Sequence, residues 1–192
     1  MPSEDVMDTD LLLRIDRLES RAEIGELCAA YCISCDDQDI PSLRALFTDD
    51  VEIRARNGTM QTAGIDDVMA MYERMFAIRG PSFHWSHDRF VDFDNEDPNR
   101  ATGKVLAHAE TTPDGRASIA ALRYEDVYRR VAGRWLIARR ELTFLYYMPI
   151  VEYAERLVRK DRVWAGDRWV DADYPEVMGP WSGWPSNSGE RG

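Results

Sequence analysis

The sequence predicts an α+β domain in which helices come first and an antiparallel sheet comes last. Two observations carry that prediction. Apolar residues recur three and four apart through most of the first eighty positions, the period of an amphipathic helix. After residue 81 the period drops to two and stays there to about residue 147, as in half-buried strands. A third observation agrees: the connections in the second half are short and turn-rich, at Asn95–Asn99, Pro113-Asp114-Gly115 and Ala132-Gly133, as a meander requires.

Taken in order, residues 1–10 are acidic and polar and are expected to form a flexible end. From Leu11 the pattern is helical, with Leu11, Ile15, Leu18 and Ala22 on one stripe. Ser20 and Glu23 form a capping box, which predicts a second helix starting within this run. Its apolar face is Ile24, Leu27, Cys28, Tyr31, Cys32 and Cys35. The polar cluster Asp36–Asp39 ends it, and Pro41 suits the first turn of a short helix to about Phe47. Val51–Ala55 alternates as a strand, and Asn57-Gly58 turns it. A helix follows from Gly64, with Val68, Tyr72, Met75 and Phe76 inward, until Gly80-Pro81 stops it. Strands are predicted at about 82–93, 100–112, 116–131 and 134–147, and a short helix after Pro149. Residues 160–192 lose periodicity yet carry Trp164, Trp169, Trp181 and Trp184. Exposed indoles cost solubility, so this segment is expected to pack over its own sheet or a neighbour's, roofing a pocket. The resulting division is 1–10, 11–150 and 151–192.

Composition narrows the function. The 192 residues hold 35 acidic against 24 basic side chains, a formal charge of −11, which disfavours a phosphate backbone as partner. No run approaches the roughly 18–20 apolar residues of a membrane helix, and Met1–Asp5 lacks a signal-peptide pattern. Three cysteines cannot all pair and none sits where a secreted disulfide scaffold would need it, so the expected compartment is a reducing cytoplasm.

Few constellations could carry chemistry. Cys28, Cys32 and Cys35 have the spacing that ligates a four-iron cluster in radical enzymes, but they fall on a helix's buried stripe, where cysteine acts as a small hydrophobe. His84 and His87 are three apart on a strand, so they face opposite ways and cannot share a metal. No zinc motif, phosphate loop or serine elbow is present, and neither metal nor cofactor is expected. What remains is a carboxylate, Asp36, at the end of a buried helix and a histidine, His84, near the start of a strand. Read by themselves, such a carboxylate is more often a solvated helix end, and such a histidine more often structural than catalytic.

Ile24–Tyr31, Asp36 and Asp39, followed by Leu43, Leu46, Phe47, Asp50 and Val51, resemble the opening of the SnoaL-like branch of the nuclear transport factor 2-like superfamily. His84 before an alternating strand, and Tyr124, Asp126 and Tyr128 followed by Gly133 and Trp135, extend the resemblance over about residues 11–150. It implies a cone: a curved antiparallel sheet wrapped around N-terminal helices and enclosing an apolar pocket. The pattern is most similar to the group of scytalone dehydratase, hexachlorocyclohexane dehydrochlorinase and bile-acid dehydratase, which use an Asp–His dyad without cofactor or metal. The resemblance places that dyad on Asp36 and His84, and a catalytic tyrosine on Tyr31. Substrate contacts are expected from Tyr124, Phe144, Tyr146 and Arg140. Departures speak against the three named substrates: Cys35 and Ala55 stand where scytalone dehydratase has tyrosines, and Phe144 where the bile-acid enzyme has arginine. His108 falls on the opposite strand parity, so His87 and His108 are expected to face solvent or an interface.

The expected function is a cofactor-independent lyase on a small hydrophobic, aromatic molecule, by elimination or by retro-aldol deformylation of a lignin-derived dimer. An isomerase or aldol cyclase on the same scaffold is the alternative, and a non-catalytic binding or dioxygenase small-subunit role is the alternative from another class. Long strands apolar on both parities predict a homo-oligomer, dimer or trimer.

Overall fold

A computed structural model describes residues 4–178, with side chains from residue 8. The N-terminal half of the chain opens with one unbroken helix, α1 (Glu4–Asp36), where the capping box at Ser20 predicted two. Ser20 is buried and accepts a hydrogen bond from Arg130, which also reaches Asp16, so its hydroxyl serves a tertiary contact and caps nothing. The helical geometry also includes Glu4–Asp10, which the sequence predicts as a flexible end. The two halves of α1 differ in fate. Ile24, Leu27, Cys28, Tyr31, Cys32 and Cys35 are buried, whereas Leu11, Leu12, Leu13, Ile15 and Leu18 are exposed.

Gln38 adopts a positive φ of 54° just past α1, the usual backbone for ending a helix. Asp39 then caps the short α2 (Ile40–Arg44), accepting from the Ser42 backbone N–H at 3.0 Å. This helix stops three residues before Phe47, which already begins β1 (Phe47–Ala55). β2 (Gln61–Ala63) returns alongside β1, and α3 (Ile65–Ile78) buries Val68, Met69, Tyr72 and Phe76. The meander follows as β3 (Phe83–Phe93), β4 (Arg100–Thr111), β5 (Ser118–Val131) and β6 (Arg134–Pro149).

The sheet order is β2-β1-β6-β5-β4-β3. β3 to β6 pair antiparallel, as expected, but β1 lies parallel to β6, so the sheet is mixed. It curves around α1 without closing, because β2 and β3 remain as edges. On β4 burial alternates perfectly, and its inward residues are Ala101, Gly103, Val105, Ala107, Ala109 and Thr111. Small inward side chains let α1 approach and leave room for a cavity. At Gly103 a Cβ would stand 2.7 Å from the Tyr128 ring and 3.1 Å from the Phe90 carbonyl, so only glycine fits.

Beyond β6, a 3₁₀ turn (Ile150–Glu152) leads into the one-turn α4 (Tyr153–Arg156). The supposedly aperiodic tail then contributes a small hairpin, β7 (Val163–Trp164) and β8 (Trp169–Val170), with β7 parallel to β6. Arg162, buried, clamps this segment: its guanidinium donates to Glu176 at 2.6 and 2.8 Å and to the carbonyls of Tyr174 and Leu145, each at 2.7 Å. Trp164 and Trp169 pack ring to ring at 5.1 Å, while Trp181 and Trp184 lie outside the described residues.

Candidate active site

The curved sheet and the helices enclose a cavity of about 330 Å³. Its walls come from α1, α3, the four meander strands and the β7 hairpin, so Trp164 is part of the wall. That volume lies at the lower end of the range for small-molecule pockets.

His84 lines this cavity, and Asp36 holds it from behind. One carboxylate oxygen of Asp36 accepts from the His84 ring Nδ1 at 2.7 Å, and the other accepts from the His84 backbone N–H at 3.1 Å. The backbone bond depends on topology. β3 is an edge strand, so N–H groups on its outer side have no strand to pair with, and Asp36 at the end of α1 takes one of them. Two donors from one residue fix the carboxylate, and the carboxylate fixes the imidazole as its Nδ1–H tautomer. Nε2 then keeps its lone pair, with no hydrogen bond among the described residues. Burial lowers the His84 pKa below the ordinary imidazole value; the hydrogen bond to Asp36 pulls it back up, and the nearby Arg79 charge pushes it down. The ring is therefore neutral at neutral pH, as a general base must be.

Tyr31 also lines the cavity. Its ring meets those of Phe47, Tyr72 and Tyr124 edge-on at 5.8–6.4 Å, and its hydroxyl is 3.0 Å from that of Tyr72. Burial pushes the Tyr31 phenol well above its usual range, which keeps it a proton donor. Tyr72, read from the sequence only as a core residue, thus belongs to the site through this contact. Cys35 lines the cavity as well, and burial pushes its thiol up to about 12. All three cysteines are buried on α1. Among the described residues, no group of three or more His, Cys, Asp or Glu side chains is arranged to hold a metal ion.

Of the expected substrate contacts, Tyr124 and Phe144 line the cavity; Arg140 and Tyr146 do not. The reason for Tyr146 is a β-bulge. Leu145 is an extra residue in the β5–β6 register, and its carbonyl is taken by Arg162. Alternation therefore slips by one, so that Phe144 and Tyr147 both point inward and stack at 6.0 Å, 20° between planes. Tyr146 turns to the outer face, where its hydroxyl meets His108 at 3.0 Å, and His108 meets His87 at 3.0 Å. Arg140 is wholly buried behind the site. It donates to both oxygens of Asp126, at 2.9 and 2.6 Å, and its guanidinium lies 4.2 Å from the Tyr31 ring centre and 4.1 Å from that of Tyr124. Burial works against its charge, but Asp126 outweighs that and keeps it firmly protonated. Tyr128 adds a third bond to the same carboxylate at 2.7 Å.

A curved, unclosed sheet wrapped around one long helix, with a cavity between them, is the cone of the nuclear transport factor 2-like superfamily. Within it the chain belongs to the SnoaL-like family, whose domain model matches residues 16–141. The chain is similar in structure to a hexachlorocyclohexane dehydrochlorinase from Novosphingobium barchaimii, with TM-score 0.65, 19% identity, and coverage of 71% of this chain and 94% of that one. It is also similar to a scytalone dehydratase-like protein from Novosphingobium aromaticivorans, with TM-score 0.65, 22% identity, and coverage of 71% and 91%. A second protein of that organism, named as an aromatic ring hydroxylase, gives TM-score 0.64 and 23% identity, with coverage of 71% and 97%. At such identities the likeness shows the fold. No curated protein matches the chain in sequence.

Proposed function

We propose that the chain is a cofactor-independent lyase acting on a small hydrophobic, aromatic substrate, with His84 as general base and Asp36 as its positioning partner. The observation that carries this is the 2.7 Å Asp36–His84 bond, which leaves Nε2 free on a residue that lines an aromatic cavity. The family and the dehydratase- and dehydrochlorinase-type neighbours support the same class.

Two reactions fit. In an elimination, Nε2 takes a carbon-bound proton, that electron pair becomes the new double bond, and the leaving hydroxyl departs as water with a proton from Tyr31. In a retro-aldol deformylation, Nε2 takes a hydroxyl proton, the adjacent carbon–carbon bond breaks as formaldehyde forms, and the carbanion left behind is reprotonated. Water exclusion by Phe144, Tyr147 and Trp164 strengthens each of these interactions. The test is turnover of an aryl-substrate panel by the purified chain alone, without metal or reductant, as a function of pH. Because burial lowers the His84 pKa, kcat/KM should climb from the acid side and level off with a midpoint below the ordinary imidazole value of about 6.5. Asp36 and Arg79 are the charged groups acting on His84. Asp36 raises its pKa, so Asp36→Asn should move the midpoint lower still. A midpoint above 7 in the unaltered chain counts against His84 as the base, and no turnover on any aryl compound returns the chain to a binding role.

The working form is proposed to be a homo-oligomer, dimer or trimer, in the cytoplasm. Phe83, Trp85, Phe90 and Leu106 are exposed on the outer face of β3 and β4, and a second copy would cover them. Light scattering at micromolar concentration should give a multiple of 22.1 kDa; a monomeric mass removes this proposal. Among the described residues, no helix is long and apolar enough to cross a membrane.

A further inference from the structure

The lining of the cavity is mostly apolar, but it includes two cations. Arg79, which follows α3, and Arg116, at the turn between β4 and β5, both line it. The fold ties these two segments together: Arg79 bridges to Pro113, and the Asp114 N–H donates to the Ile78 carbonyl at 2.9 Å. Neither guanidinium makes an ion pair or hydrogen bond among the described residues. Arg44, Arg54, Arg129, Arg130, Arg140 and Arg162 each have a carboxylate partner.

The charge of Arg79 is felt inside the cavity. It acts on His84, on Tyr72 and on Cys35, three lining residues from three different elements, and each time it lowers the pKa. Asp114 is the one carboxylate among the lining residues, exposed on the turn. Among the lining side chains, two guanidiniums are thus set against one carboxylate in a strongly acidic protein.

We propose, building on the reading of this cavity as a substrate pocket, that the substrate is an aromatic carboxylate whose anionic end docks on Arg79, with Arg116 second. The aryl body lies against Phe144 and Tyr147, and the reacting carbon lies at His84. A guanidinium presents a planar fork that matches a carboxylate through two parallel hydrogen bonds, and half-burial makes the pair stronger than one in open water. The docked anion also offsets the influence of Arg79 on His84, so a bound substrate makes its own base more basic.

The test compares 4-biphenylcarboxylate with 4-biphenylcarboxamide by titration calorimetry at pH 8. The acid should bind about tenfold tighter than the amide, as expected for a charge-assisted pair. Arg79→Gln should bring the two ligands to within about twofold while leaving amide affinity in place, which also shows that the variant is folded. Arg116→Gln should reduce the preference less. Equal binding of acid and amide, or a preference that survives Arg79→Gln, overturns the anion site and leaves the aromatic pocket standing. Binding of neither compound overturns both readings together.

Discussion

Replacing His84 with alanine should lower kcat/KM by about 10²–10⁴-fold while the secondary structure stays intact, because a general base typically contributes that much. Asp36→Asn should cost a comparable amount. Asparagine keeps the shape, but its carbonyl is uncharged, so the imidazolium formed during proton abstraction loses its stabilising carboxylate. The two residues act as a unit through one 2.7 Å bond, and the double variant should be little worse than either single one. His87→Ala is the control. That ring lies on the outer face with His108, away from the cavity, and most activity should remain. Full activity in Asp36→Asn would separate the contact from the chemistry and end the proposed mechanism.

Asp126→Asn should produce a large loss of stability. Arg140 and Asp126 have side chains only 1% and 0% exposed, and removing one charge leaves the other buried without compensation. Breaking such a pair costs about 3–5 kcal/mol. For a domain of this size that corresponds to a fall in Tm of about 10 °C. Replacing both together, Arg140→Met with Asp126→Leu, should recover much of the loss, since apolar residues of similar volume need no partner. A melting temperature within about 2 °C of the unaltered chain in Asp126→Asn would show that solvent reaches the pair. The pair also bears on the site. Arg140 lies between the rings of Tyr31 and Tyr124, so loosening it should blunt activity before the fold is lost.

The exposed half of α1 separates local pattern from tertiary outcome. Leu11, Ile15 and Leu18 form one apolar stripe and Ile24, Leu27 and Tyr31 another, on nearly opposite sides of the same helix, and only the latter reach the sheet. Periodicity reports that a face is apolar; it does not report what that face meets. The same limit explains Ser20. A capping box is a local signal, and Arg130, more than a hundred residues away, claims that hydroxyl.

The sequence by itself determined the helix-then-meander order, the boundaries of the four long strands to within about two residues, and the inward placement of Cys28, Cys32 and Cys35. It did so because helix period, strand period and turn residues are local properties that neighbouring positions impose on one another. Through its resemblance it also pointed to Asp36, His84 and Tyr31. Only the tertiary structure decided the rest. Alternation counted along β6 puts Tyr146 in the pocket, but the extra residue Leu145, held by Arg162, reverses the parity and brings in Tyr147 instead. Arg140 has the right strand and the right charge for a substrate contact, yet Asp126, fourteen positions earlier, draws it into the core. Tyr72 and Arg79, from α3 and its C-terminal end, and Trp164, from the β7 hairpin, reach the cavity from segments far apart in the chain. A bulge, a buried ion pair and a convergence of distant segments are all long-range matters, fixed when the sheet curves around α1 and not by the residues on either side.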